Sequence, residues 1–258
     1  MKNNRYFTIL LLTGLLLFTA SCTRYKNMVY LQQDAATAEL YKATPPDYRI
    51  QQRDVLYIRI LSLNQEITQV INSNGNYTTN QFTNDASLFI NGYTVSDSGY
   101  VEIPVVGKVE VQGKTLEEAK TAISEKAARY LKDATVIVKL ISFKYSVMGE
   151  VGRPGVYQNY NNQLTVLEAI SAAGDISSYG DRRHVLVIRP GNEGTQTFRL
   201  DLTKTAILNS EGFFLLPNDI VYVEPVKSYN IRVNLPVVSV FLSGVTTLIL
   251  VLNYINKS

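Results

Sequence analysis

The chain has 258 residues, with 25 basic and 22 acidic side chains and a formal net charge of +3. This length accommodates about two domains. The charges form no long basic run, so the composition gives no support to a nucleic-acid-binding protein. A single cysteine excludes an internal disulfide and a cysteine-based metal cluster. We expect neither a metal nor another cofactor.

The first 21 residues have the pattern of a cleaved export signal. Basic residues precede a nearly continuous apolar run, 6–18, and small residues then lead to Cys22. The pattern is similar to a bacterial lipobox in which Thr19 stands where leucine is usual. We therefore expect residues 1–21 to be removed and Cys22 to be lipidated, which would fasten the chain to a membrane. An ordinary signal peptide with a chance cysteine, or an uncleaved anchor, is the alternative.

Residues 22–47 are a polar, irregular lead, and two consecutive prolines, Pro45 and Pro46, mark its end as a linker. A first domain is expected over residues 48–141. Its opening run, 48–60, contains alternating β-forming residues and predicts a strand. The residues expected on one face of that strand are Leu56, Ile58 and Ile60.

The next part of the first domain contains few charges. Residues 64–91 are rich in Asn, Gln and Thr, which predicts a long loop or a hairpin with a mobile tip. Residues 93–111 contain two short extended runs and predict a hairpin-like unit. Pro104 belongs at an edge or a bend, because proline cannot donate to a sheet ladder.

A helix is predicted after this unit. Thr115 and Glu118 have the spacing of a capping box, in which each side chain satisfies a backbone N–H of the first helical turn. Apolar residues then recur at spacings of three and four, which predicts one buried stripe. The stripe consists of Leu116, Ala119, Ile123, Ala127 and either Tyr130 or Leu131.

Residues 134–147 are strongly β-forming, but the positions of their apolar residues change from even to odd. A period-two pattern cannot change faces without a bulge or a break, so the first domain is expected to end at about 140–142. A second domain is expected over residues 142–226.

The second domain repeats part of the pattern of the first. Thr165 and Glu168 form another capping box, and the helix that they begin is expected to close at Gly174. Internal duplication and two independent helix starts are both open interpretations. Further strands are expected at 185–189, 197–202 and 220–223. Both domains are therefore predicted to be small, β-rich α+β units.

Several residues carry a resemblance to known families. The run 147–157, followed by 164–170 and 172–174, resembles an SLBB domain, a β-grasp-like fold found in polysaccharide export proteins. Its motif turn contains Gly149, Glu150, Pro154 and Gly155. The upstream residues are similar to a polysaccharide-export domain: Asp54-Val55-Leu56, Tyr93-Thr94-Val95, Asp97, Gly99, Ile103-Pro104, Gly107, Gly113, Thr115 and Glu118-Ala119. This order, over about residues 48–225, resembles the Wza-like outer-membrane polysaccharide exporters.

The chain departs from the family pattern at three turn positions. Arg53, Asp175 and Asn218 stand where the family usually has glycine. Glycine is favoured where φ is positive, and Asn and Asp tolerate that region better than most residues do. We therefore expect the turns at Asp175 and Asn218 to survive, and Arg53 is the least compatible. The chain also has one SLBB domain, whereas larger members have two.

The C-terminus contains an apolar segment, 235–252, whose 18 residues would span about 27 Å as a helix. We expect a transmembrane helix over residues 231–256. At 100° per residue its polar side chains gather in one sector, which contains Ser239, Ser243, Thr246 and Asn253. Such a stripe would face the lumen in a ring of helices. Alternatively, its hydroxyls bond their own backbone or one neighbouring helix.

The resemblance implies a function. It predicts an outer-membrane lipoprotein, mostly periplasmic, whose copies form a ring, typically of eight subunits, that exports a capsular or exopolysaccharide. It also implies an inner-membrane polysaccharide co-polymerase, often a tyrosine autokinase, as partner. The alternative is a non-pore, periplasmic polysaccharide-binding or scaffold lipoprotein tethered at both ends. We expect no enzymatic activity, and His184, the only histidine, is expected at the surface or a strand edge.

Overall fold

A computed structural model describes residues 27–32, 44–63, 65–72, 91–131, 133–191, 194–227 and 235–255. In chain order, the elements are β1 (Val55–Leu61), α1 (Gln65–Ile71), β2 (Tyr93–Thr94), β3 (Tyr100–Ile103), β4 (Gly107–Glu110), α2 (Leu116–Ala127), β5 (Thr135–Leu140), β6 (Lys144–Gly149), β7 (Gly155–Gln158), α3 (Val166–Ala172), β8 (Gly180–Gly191), β9 (Gly194–Leu200), a 3₁₀ helix (Thr205–Asn209), β10 (Ile220–Pro225) and α4 (Leu235–Ile255).

The first domain is a three-stranded antiparallel sheet with the order β2-β1-β5, a separate β3–β4 hairpin, and helix α2. The face of β1 that contains Leu56, Ile58 and Ile60 is buried, and these residues are among the least exposed of the described residues. The hairpin turns at Pro104, which therefore leaves the ladder unbroken, as expected.

Helix α2 begins with the predicted capping box. The backbone N–H of Glu118 donates to Thr115 Oγ1 at 3.2 Å, and the N–H of Thr115 donates to Glu118 Oε2 at 2.8 Å. The helix buries Ala119, Ile123 and Ala127 against the sheet. Beyond its end, Leu131 is buried and Tyr130 is 51% exposed, so Leu131 completes the apolar stripe.

The loop predicted after β1 is wrong for its first residues, which form helix α1. The buried side chain of Asn72 holds this helix against β1. Its Nδ2 donates to the carbonyls of Ile60 (2.7 Å) and Thr68 (2.8 Å), and its Oδ1 accepts from Ile60 N at 3.1 Å. Such a contact between an amide side chain and a distant backbone segment stabilises a short helix. The polar composition of this part of the sequence does not indicate that helix. Residues 73–90 lie outside the described ranges.

The two domains meet at the predicted change of phase. Strand β5 ends at Leu140 and β6 begins at Lys144, with no strand between them. Leu140 packs against the cores of both domains, and the odd-numbered residues after the break, such as Tyr145 and Val147, are buried in the second core. The break thus moves the buried positions from one core to the other.

The second domain is a five-stranded sheet with the order β7-β6-β10-β8-β9, in which only the β10–β6 pair is parallel. Helix α3 covers one face, and it begins with the second predicted capping box, Thr165 and Glu168. Strand β8 begins at Gly180, earlier than expected, so His184 lies inside a strand. Both domains are mixed and β-rich, as the sequence predicted.

Helix α4 forms within the predicted C-terminal segment, over 21 residues. In the part of the chain that the structure describes, no helix is sufficiently long and apolar to cross a membrane. Of the expected transmembrane helix over residues 231–256, the structure supports a C-terminal helix over Leu235–Ile255, and its transmembrane character is unsupported. Ser239, Ser243, Thr246 and Thr247 interrupt its apolar surface.

Residues 27–32, which we name the amino-terminal arm, lie against the second domain. The backbone N–H of Leu31 donates to the Leu202 carbonyl at 3.1 Å, and that of Gln32 donates to the Thr203 carbonyl at 2.7 Å. The chain therefore contacts its second domain before it enters its first. The sequence predicted only an irregular linker here.

Candidate functional site

The SLBB motif turn joins β6 to β7 and contains all four predicted residues. Gly149 has a φ of +86°, and a Cβ at this position would lie 2.1 Å from the carbonyl oxygen of Val223. Both the backbone conformation and the contact with β10 therefore require glycine. Gly155 opens β7 opposite Val147, and Pro154 precedes it as an exposed residue.

Glu150 ties this turn to the segment that precedes β8. Its Oε2 accepts a hydrogen bond from Ser177 Oγ at 2.8 Å, and its carbonyl accepts one from Ser177 N at 2.9 Å. Its own N–H donates to the Val223 carbonyl at 3.1 Å. The motif residues thus build a rigid turn, and the bonds of Glu150 give it a structural role.

The same turn contacts the C-terminal end of α3. Gly152 N donates to the Asp175 carbonyl at 2.9 Å, and Arg153 N donates to the Ala173 carbonyl at 2.6 Å. A Cβ on Gly152 would lie 2.6 Å from the Gly174 carbonyl oxygen. Asp175 has a φ of +67°, so this residue does occupy a conformation that usually takes glycine.

The other two departures from the family pattern also lie in left-handed turns. Arg53 has a φ of +68° and Asn218 a φ of +69°. Each precedes an aspartate that closes the turn: Asp54 Oδ2 accepts from Gln51 N at 2.8 Å, and Asp219 Oδ2 accepts from Leu216 N at 2.8 Å. The turn at Arg53 therefore forms even though arginine is poorly suited to this conformation.

Asp219 is fully buried and pairs with Arg189. The guanidinium Nη2 donates to Asp219 Oδ2 at 2.7 Å and to the Phe214 carbonyl at 2.8 Å, while Nε donates to Asp219 Oδ1 at 3.0 Å. The guanidinium also lies over the ring of Phe198, 5.1 Å from its centroid. This two-point geometry satisfies both charges within the second domain.

Asp54 holds the start of the first domain. Its Oδ2 accepts from the hydroxyl of Tyr48 at 2.7 Å, and its Oδ1 accepts from Ser142 Oγ at 3.1 Å. Burial, with the neighbouring Asp54 charge, raises the pKa of the Tyr48 phenol well above its usual value. Tyr48 is therefore a neutral donor at every physiological pH.

A groove of about 670 Å³ separates the two domains and is lined by residues such as Tyr48, Gln51, Arg189 and Gln196. This volume is in the range of small-molecule sites. However, the hydroxyl of Tyr48 and the guanidinium of Arg189 are engaged with Asp54 and Asp219. Each of these two donors is therefore occupied by a carboxylate of its own domain.

A charged cluster at the start of β8 was not predicted. Asp181 is 7% exposed and accepts from Arg183 Nε and Nη2 at 3.0 Å each, while His184 Nδ1 lies 2.9 Å from its Oδ2. Burial alone would raise the pKa of Asp181, but the hydrogen bonds from Arg183 and His184 lower it to about 2. His184 therefore has a structural carboxylate partner, and no residue spacing indicated it.

The predicted polar stripe of α4 is in part described. Ser243 Oγ donates to the Ser239 carbonyl at 2.9 Å, and Thr246 Oγ1 donates to the Leu242 carbonyl at 2.8 Å. These hydroxyls bond their own helix, and their oxygens can still accept from outside. Asn253 lies in the helix, but its side chain is not described. The lumen-facing role of the stripe stays a prediction.

Large apolar side chains of α4 are exposed, among them Phe241 (73%) and Leu248 (62%). Cys22, the predicted lipidation site, lies outside the described residues. Within the described ranges, no group of three or more His, Cys, Asp or Glu side chains could hold a metal ion.

The outer face of the five-stranded sheet is unexpectedly apolar. Tyr222 of β10 lies between Met148 of β6 and Leu186 of β8, and Ile220 faces Ile188 in the next pair. Met148 is 51% exposed, and Val156 at the β7 edge is 68% exposed. The signal in the sequence was continuous apolar runs in β8 and β10, because a solvated face normally produces alternation. The same face also contains Ser146, Thr197 and the Arg199–Glu224 ion pair, so the apolar residues form a patch among polar ones, and such a patch indicates a binding surface.

Two family models match consecutive parts of the chain. Residues 42–141 match the polysaccharide biosynthesis/export protein family, and residues 143–223 match the SLBB domain. The chain thus combines a polysaccharide-export domain with an SLBB domain, in the order that the resemblance implied. Polysaccharide export proteins act in transport, which confirms the expectation that this chain is not an enzyme.

The chain is similar to three curated proteins. It is 33% identical to the EPS I polysaccharide export outer membrane protein EpsA of Ralstonia nicotianae over 162 residues, 60% of this chain and 42% of the relative. It is 30% identical to EpsA of Ralstonia solanacearum over 196 residues, 72% and 49% of the two chains. The exopolysaccharide production protein ExoF of Rhizobium meliloti is 34% identical over 96 residues, 36% and 23% of the two chains. The matches cover less than half of each relative.

Proposed function

We propose that the chain is a subunit of an export channel at the bacterial outer membrane, through which a capsular or exopolysaccharide leaves the cell. The observation that carries this proposal is the succession of a polysaccharide-export domain and an SLBB domain within one chain. The names of the EpsA and ExoF relatives support the same substrate class.

In this proposal, copies of the chain assemble into a ring, of eight subunits by resemblance. The apolar outer face of the second sheet supports self-association, because Met148, Tyr222 and Leu186 form a continuous surface that water would otherwise cover. In a ring, this face of one copy would contact a different surface of the next copy, which closes without leaving an apolar patch exposed.

The C-terminal helices supply the second element of assembly. Every described side chain of α4 is exposed, so the apolar residues of this helix need a partner. We assign the predicted stripe, Ser239, Ser243, Thr246 and Asn253, to the polymer path, and the apolar sides to neighbouring helices or lipid. A lumen lined by hydroxyls makes weak, repeated contacts, and a long polymer can move past such contacts without stalling.

Lipidation of Cys22 after removal of residues 1–21 would anchor each subunit and leave most of the chain in the periplasm. The periplasmic end would meet an inner-membrane co-polymerase or tyrosine autokinase, which supplies energy and gating.

Deletion of the gene in the native producer, followed by complementation with the full chain, tests the function. We expect secreted polysaccharide to fall to background in the deletion strain while polymer accumulates inside the cell.

A double variant, Met148→Lys with Leu186→Lys, tests the sheet face. Ser171→Lys, at an exposed position of α3 on the opposite face of the sheet, is the control. Crosslinking of the purified lipoprotein should show ring-sized species for the control and monomers for the double variant. Normal secretion by the deletion strain would refute the function, and rings formed by the double variant would refute the assigned face.

A further inference from the structure

The amino-terminal arm precedes the first domain in the sequence, but it binds the second domain. In addition to the backbone bonds of Leu31 and Gln32, a parallel bridge pairs Gln32 with Lys204. Tyr30 and Leu31 pack against the core of the second domain. Three of the six residues of the arm thus make backbone or core contacts at one place on the second domain.

Tyr30 is the centre of this contact. Its hydroxyl donates to Asp175 Oδ1, and the guanidinium of Arg182 lies over its ring, 5.1 Å from the centroid. The side chain of Arg182 is only 10% exposed, and its Nη2 lies 3.9 Å from Asp175 Oδ2 and donates to the Ile176 carbonyl at 3.2 Å. Its buried Nε has no hydrogen-bond partner among the described residues. The arm therefore covers a cation that would otherwise contact water.

Asp175 stands where the exporters that this chain resembles usually have glycine, and it has a φ of +67°. A side chain at such a position carries a conformational cost that glycine avoids. Its carboxylate bonds Tyr30 of the arm and lies near Arg182. The residue that differs from the family pattern, Asp175, is thus the hydrogen-bond acceptor of Tyr30, and this bond accounts for an aspartate at that position.

Tyr30 remains able to donate this bond. Burial, and next the hydrogen bond to Asp175, raise the pKa of Tyr30 to about 12. The phenol is therefore neutral across the physiological range, and the docked arm is insensitive to pH there.

The length of chain between Cys22 and the arm limits how far apart they can be. Asn27 is the first described residue, and five residues of extended chain reach about 18 Å at most. A membrane that holds Cys22 would therefore lie within about that distance of the docked arm. The first domain begins only at Tyr48.

We propose that the Tyr30–Asp175–Arg182 contact is a docking site that holds the second domain, by this face, against the lipid surface to which Cys22 is anchored. Tyr30 is a positioning residue in this arrangement. Without the contact, the second domain would be attached only by an undocked arm, at a variable distance and orientation. The inference rests on the proposed lipidation of Cys22.

The first test measures docking by hydrogen exchange in the full-length protein in detergent, at the Leu31 and Gln32 amides. Asp175→Gly removes the acceptor of Tyr30 and at the same time relieves the positive φ, so the turn is retained. Asn218→Gly relieves a positive φ in the same domain, at the turn before β10, and it is the matched control. We expect exchange at both amides to rise at least about tenfold in Asp175→Gly and to stay unchanged in Asn218→Gly. Equal protection in the two variants would overturn the docking site.

The second test measures placement in liposomes that carry a quenching lipid. A fluorophore at Ala206→Cys, an exposed residue next to the arm, reports on the second domain, and one at Glu125→Cys reports on the first. We expect strong quenching at position 206, which Asp175→Gly reduces and Asn218→Gly does not. Mass spectrometry of the Cys22 peptide separates the two hypotheses. An unmodified Cys22 refutes the anchor itself. An acylated Cys22 with unchanged quenching in Asp175→Gly overturns the placement alone.

Discussion

Asp54 and Asp219 close equivalent turns in the two domains. Each carboxylate accepts the backbone N–H three residues before it at 2.8 Å, and each follows a residue whose φ is close to +68°. Each also leads directly into a central strand, β1 or β10. Their partners differ, because Asp54 binds neutral hydroxyls whereas Asp219 binds the guanidinium of Arg189.

We expect Asp219→Asn to destabilise the second domain strongly. The substitution leaves the Arg189 charge buried without its counterion, which costs about 3–5 kcal/mol in the free energy of unfolding. The control is Glu224→Gln, which breaks the exposed Arg199–Glu224 pair and should cost less than about 1 kcal/mol. Urea unfolding followed by circular dichroism measures both. Similar losses for the two variants would contradict the assigned role of burial.

Gly149→Ala tests why the SLBB motif turn contains this glycine. The new Cβ meets the Val223 carbonyl and must also adopt a left-handed φ, so we expect a loss of about 2–5 kcal/mol in the free energy of unfolding. Gly174 has a similar positive φ of +79°, but a Cβ there would have no contact closer than 3.6 Å, so Gly174→Ala should lose only about 1–2 kcal/mol in the free energy of unfolding. If the two variants unfold at the same denaturant concentration, the close approach to β10 is unimportant.

The Asp181 cluster predicts a pH dependence. The pKa of Asp181 is lowered to about 2 in the folded chain, below its unfolded value of 3.8, so this carboxylate stabilises the fold above about pH 4. That contribution is lost as the pH falls toward 2. We expect Asp181→Asn to be less stable than the wild type by about 2 kcal/mol at pH 6, and the difference to shrink below pH 4 and vanish near pH 2. A difference that is independent of pH would contradict the assignment.

The polar stripe of α4 predicts an export defect. Ser239→Leu with Ser243→Leu replaces two hydroxyls of the proposed polymer path, and we expect secreted polysaccharide to fall at least about tenfold while ring assembly persists. Val240→Leu with Leu242→Val, on other sides of the helix, is the control and should secrete normally. Normal secretion by the serine double variant, with rings intact, would favour the scaffold function over the channel.

The sequence predicted the elements whose signals are local. Both capping boxes and the change of phase before β6 depend on residues a few positions apart, and the structure has them. Helix α1 and the amino-terminal arm were missed, because the side chains of Asn72 and Tyr30 that hold them bind residues distant in the sequence.

The candidate site was predictable to a similar extent. The SLBB motif turn was recognised from its glycines, and the three non-glycine turn residues do have positive φ values. The binding of His184 and Arg183 by Asp181 was not predicted, since no spacing rule indicates which acid a strand residue meets. The continuous apolar runs of β8 and β10 are a sequence signal for an apolar outer face, but the residues that share this face are known only from the register of β6, β10 and β8.

The junction between the domains has a mechanical consequence. Ser142 Oγ donates to Asp54 Oδ1 and accepts from Val55 N, each at 3.1 Å, while Leu140 contacts both cores. A force on the second domain would therefore be transmitted directly to β1 of the first domain. The two domains would therefore move together, so a force applied to one domain would be transmitted to the other.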